Sequence, residues 1–140
     1  MRVVFDTSVL VAAVRSRQGA SFALVNAIPS SAFQICLSVS LYAEWQDVLT
    51  RQENLPPDRT AEDAWRFLRY LASQAHLQDI HFLWRPFLRD SDDDMLLELA
   101  FAAGCRYIVT HNIRDFAGCE CLGIQAVTPN QFLNLTRATS

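Results

Sequence analysis

The amino-acid sequence predicts an α/β domain in which a parallel β-sheet is covered by helices on both faces. Three observations carry this. Short apolar, β-rich runs recur at residues 2–5, 33–37, 107–109 and 124–127, which is how strands buried on both faces read. The segments between several of them carry apolar residues at helical spacing. Strands that alternate with helices pair in parallel through right-handed crossovers. A chain of 140 residues fits a single such domain, residues 1–140, and no linker or internal repeat divides it.

The elements follow in order. The run from Arg2 to Phe5 ends at Asp6, and Thr7 and Ser8 can cap a helix continuing through Val9–Val14. The stretch from Ser16 to Gly19 is a break, after which residues 20–28 read as a helix stopped by Pro29. Residues 33–37 form the second strand. Ser38 and Ser40 are candidate caps for a helix reaching about Arg51, with Leu41, Trp45, Val48 and Leu49 as its apolar stripe. Pro56 and Pro57 lie in the next connection. Ala61, Ala64, Trp65, Leu68, Leu71 and Ala72 form a stripe that predicts a helix over 60–74; Trp65, like Trp84, is expected in the core more than at an interface. Residues 78–84 alternate weakly and fit a strand or a loop. Asp92, Asp93 and Asp94 open a helix through Ala103 that Gly104 ends. Tyr107–Val109 is a strand ending at Thr110, residues 124–127 are the last strand, and Pro129 starts the final helix.

Composition narrows the functional classes. Apolar residues make up 51% of the chain, enough for an ordinary core. No window approaches the roughly 18 apolar residues of a membrane span, and the N-terminus has no signal-peptide pattern. The chain therefore reads as mature from residue 1, cytoplasmic, with no membrane partner. Net charge is −3, so bulk charge does not draw it to nucleic acid. All 12 basic side chains are nevertheless Arg, whose planar fork matches phosphate oxygens; nucleotide-composition bias in the genome is the favoured explanation over selection for binding. Cys36, Cys105, Cys119 and Cys121 have no C-x-x-C spacing, so free, mostly buried thiols are expected.

The carboxylates carry the chemistry. In an open parallel sheet, ligands bind beyond the C-terminal ends of the strands. Asp6 stands at that end of the first strand. Thr110 ends a later strand, with Asn112 and Asp115 just past it, and Asp93 begins the helix leading into that strand. Glu44, on the flank of the Leu41–Leu49 stripe, can turn inward over the same edge. Crowded carboxylates repel one another unless a cation neutralises them. An oxygen-only donor set suits Mg²⁺ or Mn²⁺, which can activate water and stabilise charge as a phosphodiester breaks. Each acid also has a plain structural role open to it: Asp6 as a helix cap, Glu44 as a solvated helix charge, Asp92–Asp94 at a helix N-terminus, Asp115 as a loop acid. Their joint occurrence at one edge favours a site.

The motifs bear a family resemblance. Val-Val-Phe-Asp-Thr-Ser-Val-Leu at 3–10 resembles the opening motif of PIN-domain nucleases, the stretch from Arg89 to Ala100 is similar to their third acidic motif, and Tyr-Ile-Val-Thr-His-Asn-Ile-Arg-Asp-Phe at 107–116 resembles their fourth. The likeness is strongest to PIN proteins regarded as the VapC-type toxins of toxin–antitoxin pairs, and it covers nearly the whole chain. It implies a small three-layer α/β/α sandwich with a four- to five-stranded parallel sheet, and a Mg²⁺- or Mn²⁺-dependent endoribonuclease leaving a 5′-phosphate and a 3′-hydroxyl. Carried over by motif, the metal-binding and catalytic acids are Asp6, Glu44, Asp93 and Asp115, with Asp94 a rival to Asp93; the helical wheel mildly favours Asp93. Thr7, Ser8, Thr110 and Asn112 would orient ligands or touch phosphate, and Arg114 and Arg15 are candidate phosphate contacts. Two departures stand out. Ser8 replaces a common Asn, and a hydroxyl can still orient a carboxylate. Asn112 stands where many relatives have Asp, which removes a charge and bears on one-metal against two-metal operation. The resemblance implies an RNA substrate, a cognate antitoxin and a homodimer, with the aromatic-rich helices at 20–28 and 60–74 as candidate surfaces. Two other readings remain open: a PIN-fold protein- or RNA-binding module with weak turnover, favoured by Ser8 and Asn112, and a receiver-type phosphoryl-transfer domain. The latter expects a Lys near phosphate, and this chain has no Lys.

Overall fold

The computed structural model describes residues 1–80, 88 and 91–139. Strands β1 (Arg2–Phe5), β2 (Gln34–Leu37), β3 (His76–Leu77), β4 (Tyr107–Val109) and β5 (Gln125–Val127) form a five-stranded sheet in the order β3-β2-β1-β4-β5. Every pairing is parallel. The helices are α1 (Thr7–Arg15), α2 (Ala20–Asn26), α3 (Val39–Leu49), α4 (Ala61–Gln74), α5 (Ser91–Ala102) and α6 (Pro129–Thr139). The crossovers β1→β2 and β2→β3 step across the sheet one way and β3→β4 steps back. Right-handed connections therefore place α1–α4 on one face and α5 on the other, giving the α/β/α sandwich.

Burial explains the strand sequences. β1 is the central strand, and Val3, Val4 and Phe5 are fully buried, so no polar alternation survives there. Phe5 and Phe33 meet Phe132 of α6 at ring-centroid distances of 6.4 and 5.4 Å, and α6 also packs on α2. This aromatic knot ties the last helix to the first two strands' ends. α5 follows its start signal, and Gly104, at φ +70°, takes the left-handed turn that stops it. Cys105 N–H donates back to Ala100 O at 2.8 Å across that turn.

Several expectations shift. α2 ends at Asn26, two residues short of Ile28. Asp6, not Thr7 or Ser8, occupies the N-cap position of α1; Thr7 is already helical and both hydroxyls point elsewhere. Ser38 caps α3 by accepting Leu41 N–H at 3.2 Å, while Ser40 lies inside the helix. In α4 the inward line runs through Ala64, Leu68 and Leu71, with Phe67 against the core. Trp65, one position off that line, is 43% exposed: a helix flanking the sheet needs only a narrow buried stripe. Trp84 lies outside the described residues. The edge strand forms at His76–Leu77, before the 78–84 window; Gln78 N–H continues its pairing to Leu37 O at 2.9 Å, and residues 81–84 lie outside the described residues. Cys36, Cys105 and Cys119 are buried and Cys121 is exposed, all as free thiols. Among the described residues, no helix is long and apolar enough to cross a membrane.

Candidate active site

Strand register builds the site. Phe5 pairs with Val109, and Val109 with Val127. The residues that follow, Asp6, Thr110 and Thr128, therefore leave the sheet side by side at its C-terminal edge. The ladder runs one step further: Asp6 N–H donates to Val109 O and Thr110 N–H to Val127 O, each at 2.9 Å. This fixes the backbone beneath both side chains.

Asp6 does not spend its carboxylate on the helix behind it. α1 starts with no side-chain cap. Instead Asp6 Oδ2 accepts Thr110 Oγ1–H at 2.7 Å and Ser8 Oγ–H at 3.0 Å, leaving Oδ1 without a hydrogen bond among the described residues. Thr110 is fully buried, and its hydroxyl oxygen accepts Asn112 N–H at 2.9 Å. Ser8 Oγ accepts His111 N–H at 3.3 Å. The first turn of α1 and the loop after β4 thus meet on one oxygen of the Asp6 carboxylate. Such partners fix the orientation of a ligand.

Thr7 extends the network. Its hydroxyl donates to Glu44 Oε2, so the residue after Asp6 pins the α3 carboxylate. Glu44 sits beside the buried Trp45, with Leu41 one turn before and Leu49 one turn beyond that ring, which is why its side chain reaches inward from the flank of the stripe.

The α5 acids separate by burial. Asp92 is exposed, Asp93 is half-buried, and Asp94 is 2% exposed. Asp94 Oδ1 accepts Leu88 N–H at 2.7 Å, a charge-assisted bond at the head of a helix. The Leu97–Ala100 stripe does not discriminate among the acids, because Leu96, Leu97, Leu99 and Ala100 are all buried. Asp115 and Arg114 lie exposed in a short 3₁₀ turn, Ile113–Phe116, just past β4, where Asp115 N–H donates to Asn112 O at 3.0 Å. Asn112 is exposed at the same edge. Arg15 stands apart from this cluster: it ends α1 and donates to Asn54 Oδ1 at 2.8 Å.

Glu98 escaped the sequence reading, although it is 2% exposed. Its signal was present: it follows Asp94 by four residues, on the same side of a helix otherwise apolar from Met95 to Ala100. Sequence reasoning also passed over His111, which pairs with the buried Ser21 across the sheet edge, Oγ to Nε2 at 3.0 Å.

Asp6 at the end of β1 and Glu44, bonded by the neighbouring Thr7, are hard oxygen donors, so this part of the site fits a divalent cation such as Mg²⁺. Among the described residues, no three His, Cys, Asp or Glu side chains close around a common point. The remaining donors to a six-coordinate ion would be water and substrate oxygens, as is usual for Mg²⁺.

A parallel α/β/α fold with acids and hydroxyls gathered at one edge defines a class, and the comparisons name it. The PIN domain family matches residues 2–114, and the chain belongs to that family. Its fold is similar to VapBC-1 from nontypeable Haemophilus influenzae, with a TM-score of 0.62 and 15% identity over 93% of this chain and 99% of that one. It is equally similar to VapBC2 from Rickettsia felis, solved with a DNA fragment from their promoter, at a TM-score of 0.62 and 15% identity over 91% and 98% of the two chains. No curated protein matches the chain.

Proposed function

We propose that this PIN domain is a divalent-metal-dependent endoribonuclease and the toxin of a toxin–antitoxin module. The observation that carries the reading is the Asp6 carboxylate, held on one oxygen by Thr110 and Ser8, with Glu44 bonded by Thr7, the residue that follows Asp6. Membership of the PIN family supports nuclease chemistry, and the likeness to the VapBC structures supports a cognate antitoxin as partner. Cytoplasmic RNA is the substrate this role requires.

In this reading Asp6, Glu44, Asp115 and one α5 acid hold Mg²⁺ or Mn²⁺, with Asn112 offering a neutral oxygen. Asp94, buried at the head of α5, takes the α5 position in place of Asp93. An ion held by these residues would supply Lewis acidity and activation of water for hydrolysis of the phosphodiester. Thr110 and Ser8 keep Asp6 aimed at the edge. Thr7, by bonding Glu44, would position that carboxylate toward an attacking water, and Arg114 on the exposed turn would contact phosphate. Ser8 replaces the amide common in relatives yet bonds the carboxylate, which weighs against a dead site. A homodimer through the exposed aromatics of α4, Trp65 and Tyr70, accompanies this reading.

The test is the Asp6→Asn variant. It should lose Mg²⁺- or Mn²⁺-dependent cleavage of single-stranded RNA by at least about 100-fold, with an unchanged far-UV spectrum and melting within a few degrees of the parent. Cleavage by the purified variant at the parent's rate would refute the assignment.

A further inference from the structure

A recess with a mostly apolar lining and a few polar side chains opens on the same sheet edge. It has a volume of about 220 Å³ and lies between the end of α1, the start of α2, the loop after β4 and the start of α6. Its walls include Ser16, Ser21, His111, Thr128, Pro129 and Asn130, the rest being Ala and Gly. We propose that this recess seats one nucleobase of single-stranded RNA next to the scissile phosphate, with His111 as the base contact; this rests on the reading of the chain as a ribonuclease.

Register puts the recess beside the carboxylates. Asp6, Thr110 and Thr128 follow aligned residues of β1, β4 and β5. His111 follows Thr110, the residue that holds Asp6. Its backbone N–H reaches Ser8, the second holder of Asp6. A base lying on His111 therefore belongs to a nucleotide whose phosphate falls at the acidic edge.

Size and chemistry agree with one base. The volume is below the roughly 300–1,000 Å³ of a drug-sized ligand site, and the small residues Ala12, Gly19 and Ala20 leave room for a flat ring against the backbone. His111 is exposed, but its ring is not a free rotor: Nε2 is fixed by the Ser21 hydroxyl, itself 3% exposed, at 3.0 Å. In the proposed subsite this ring, anchored at Nε2, would offer its face for stacking on an unpaired base. Asn130 is exposed at the mouth, and its amide offers a donor and an acceptor to a base edge. Thr128 is already engaged: its hydroxyl accepts Gln131 N–H at 3.1 Å, while Gln131 Oε1 accepts Thr128 N–H at 2.9 Å. That reciprocal cap makes the wall rigid.

The test maps base preference. The full chain with Mn²⁺ is given a randomised single-stranded RNA pool, and the sequences flanking each cut are counted for the parent, His111→Ala, His111→Phe and Asn130→Ala. Binding of short fluorescent RNAs to the same substitutions in an Asp6→Asn background gives a second readout without turnover. The parent should prefer one base or base class at a single position beside the cut. His111→Ala should flatten that position alone and weaken binding of the preferred RNA about 10-fold. His111→Phe should restore much of the binding through stacking. Cleavage by His111→Ala and Asn130→Ala with the parent's preference at every position overturns the proposal and leaves the ribonuclease reading standing. An inert parent that still binds RNA with a His111-dependent base preference sinks the ribonuclease reading and keeps the subsite. Absence of RNA binding overturns both.

Discussion

Replacing Thr110 by Val removes one oxygen and keeps the shape of the side chain. Thr110 is fully buried, and Val nearly keeps its shape, so the main change is an apolar methyl group in place of the hydroxyl that meets Asp6 Oδ2 and Asn112 N–H. The lost hydrogen bond, 2.7 Å to Asp6 Oδ2, is made to a charged acceptor, which sets its net contribution at about 1.5–3 kcal/mol. Asn112 N–H also loses its acceptor, but Asn112 is exposed and water replaces that bond. For a chain of this size each kcal/mol moves the melting temperature by about 4 °C, so Thr110→Val should melt roughly 6–12 °C lower. The functional effect should be larger than stability alone explains. Loss of a residue that orients a metal-binding carboxylate typically weakens metal affinity about 10–100-fold. Mn²⁺ binding followed by calorimetry and by electron paramagnetic resonance, with the Mn²⁺ dependence of RNA cleavage, reads this directly. Thr110→Ser, which keeps the hydroxyl, should return the affinity to within about 3-fold of the parent. If Thr110→Val loses stability yet binds Mn²⁺ and cleaves as the parent does, the hydroxyl is a packing element and the reasoning about Asp6 fails.

Three further outcomes are expected. Asp94→Asn should lose metal-dependent cleavage while Asp93→Asn keeps at least about a tenth of it; the reverse order, in purified and folded variants, would return the role to Asp93. At the start of α4, the Asp63 carboxylate is held below its usual range by Thr60, first by the backbone N–H at 2.9 Å and then by the hydroxyl. A carboxylate depressed in the folded chain stabilises above its unfolded value of 3.8 and loses that contribution as pH falls through the lower folded value. The stability gap between parent and Asp63→Asn, measured by urea unfolding, should therefore be full at neutral pH and close in acid; a gap constant across that range contradicts the assignment. Phe132→Ala should cost about 3–5 kcal/mol by thermal unfolding, since it empties the centre of the ring cluster with Phe5, Phe33 and Tyr107; a loss under about 1 kcal/mol would mean that α6 is not anchored there.

Much of the fold was legible because its signals are local. The central strand had to read as an unbroken apolar run, since both of its faces are covered, and Val3, Val4 and Phe5 do. Gly104 and Pro129 mark a helix end and a helix start through backbone constraints that need no tertiary partner. Those landmarks were enough to send Asp6, Thr110 and Asp115 to one edge. The places where reading failed are those where the answer depends on which neighbour arrives. Trp65 looked like core because it is aromatic and near the stripe, but α4 buries only the line through Leu68 and Leu71. The edge strand at His76–Leu77 is two residues long and exists through its pairing to Cys36 and Leu37.

The candidate carboxylates Asp6, Glu44, Asp93 and Asp115 could be put forward from spacing and motif resemblance, because a parallel sheet brings strand ends and helix starts to one edge whatever the details. Their roles could not. Asp6 could have been a cap; only the folded chain turns it away from α1 and onto the hydroxyls of Ser8 and Thr110, the latter 104 residues distant. Asp93 and Asp94 differ by about 100° around one helix, and a helix buried on nearly every side gives the wheel nothing to choose with. Burial and the Leu88 N–H distinguish Asp94. The meeting of His111 with Ser21, 90 residues apart, left no mark in either local sequence. Sequence determines which groups can reach the edge through local backbone preference and hydrophobic pattern; long-range packing decides which oxygen faces which hydrogen.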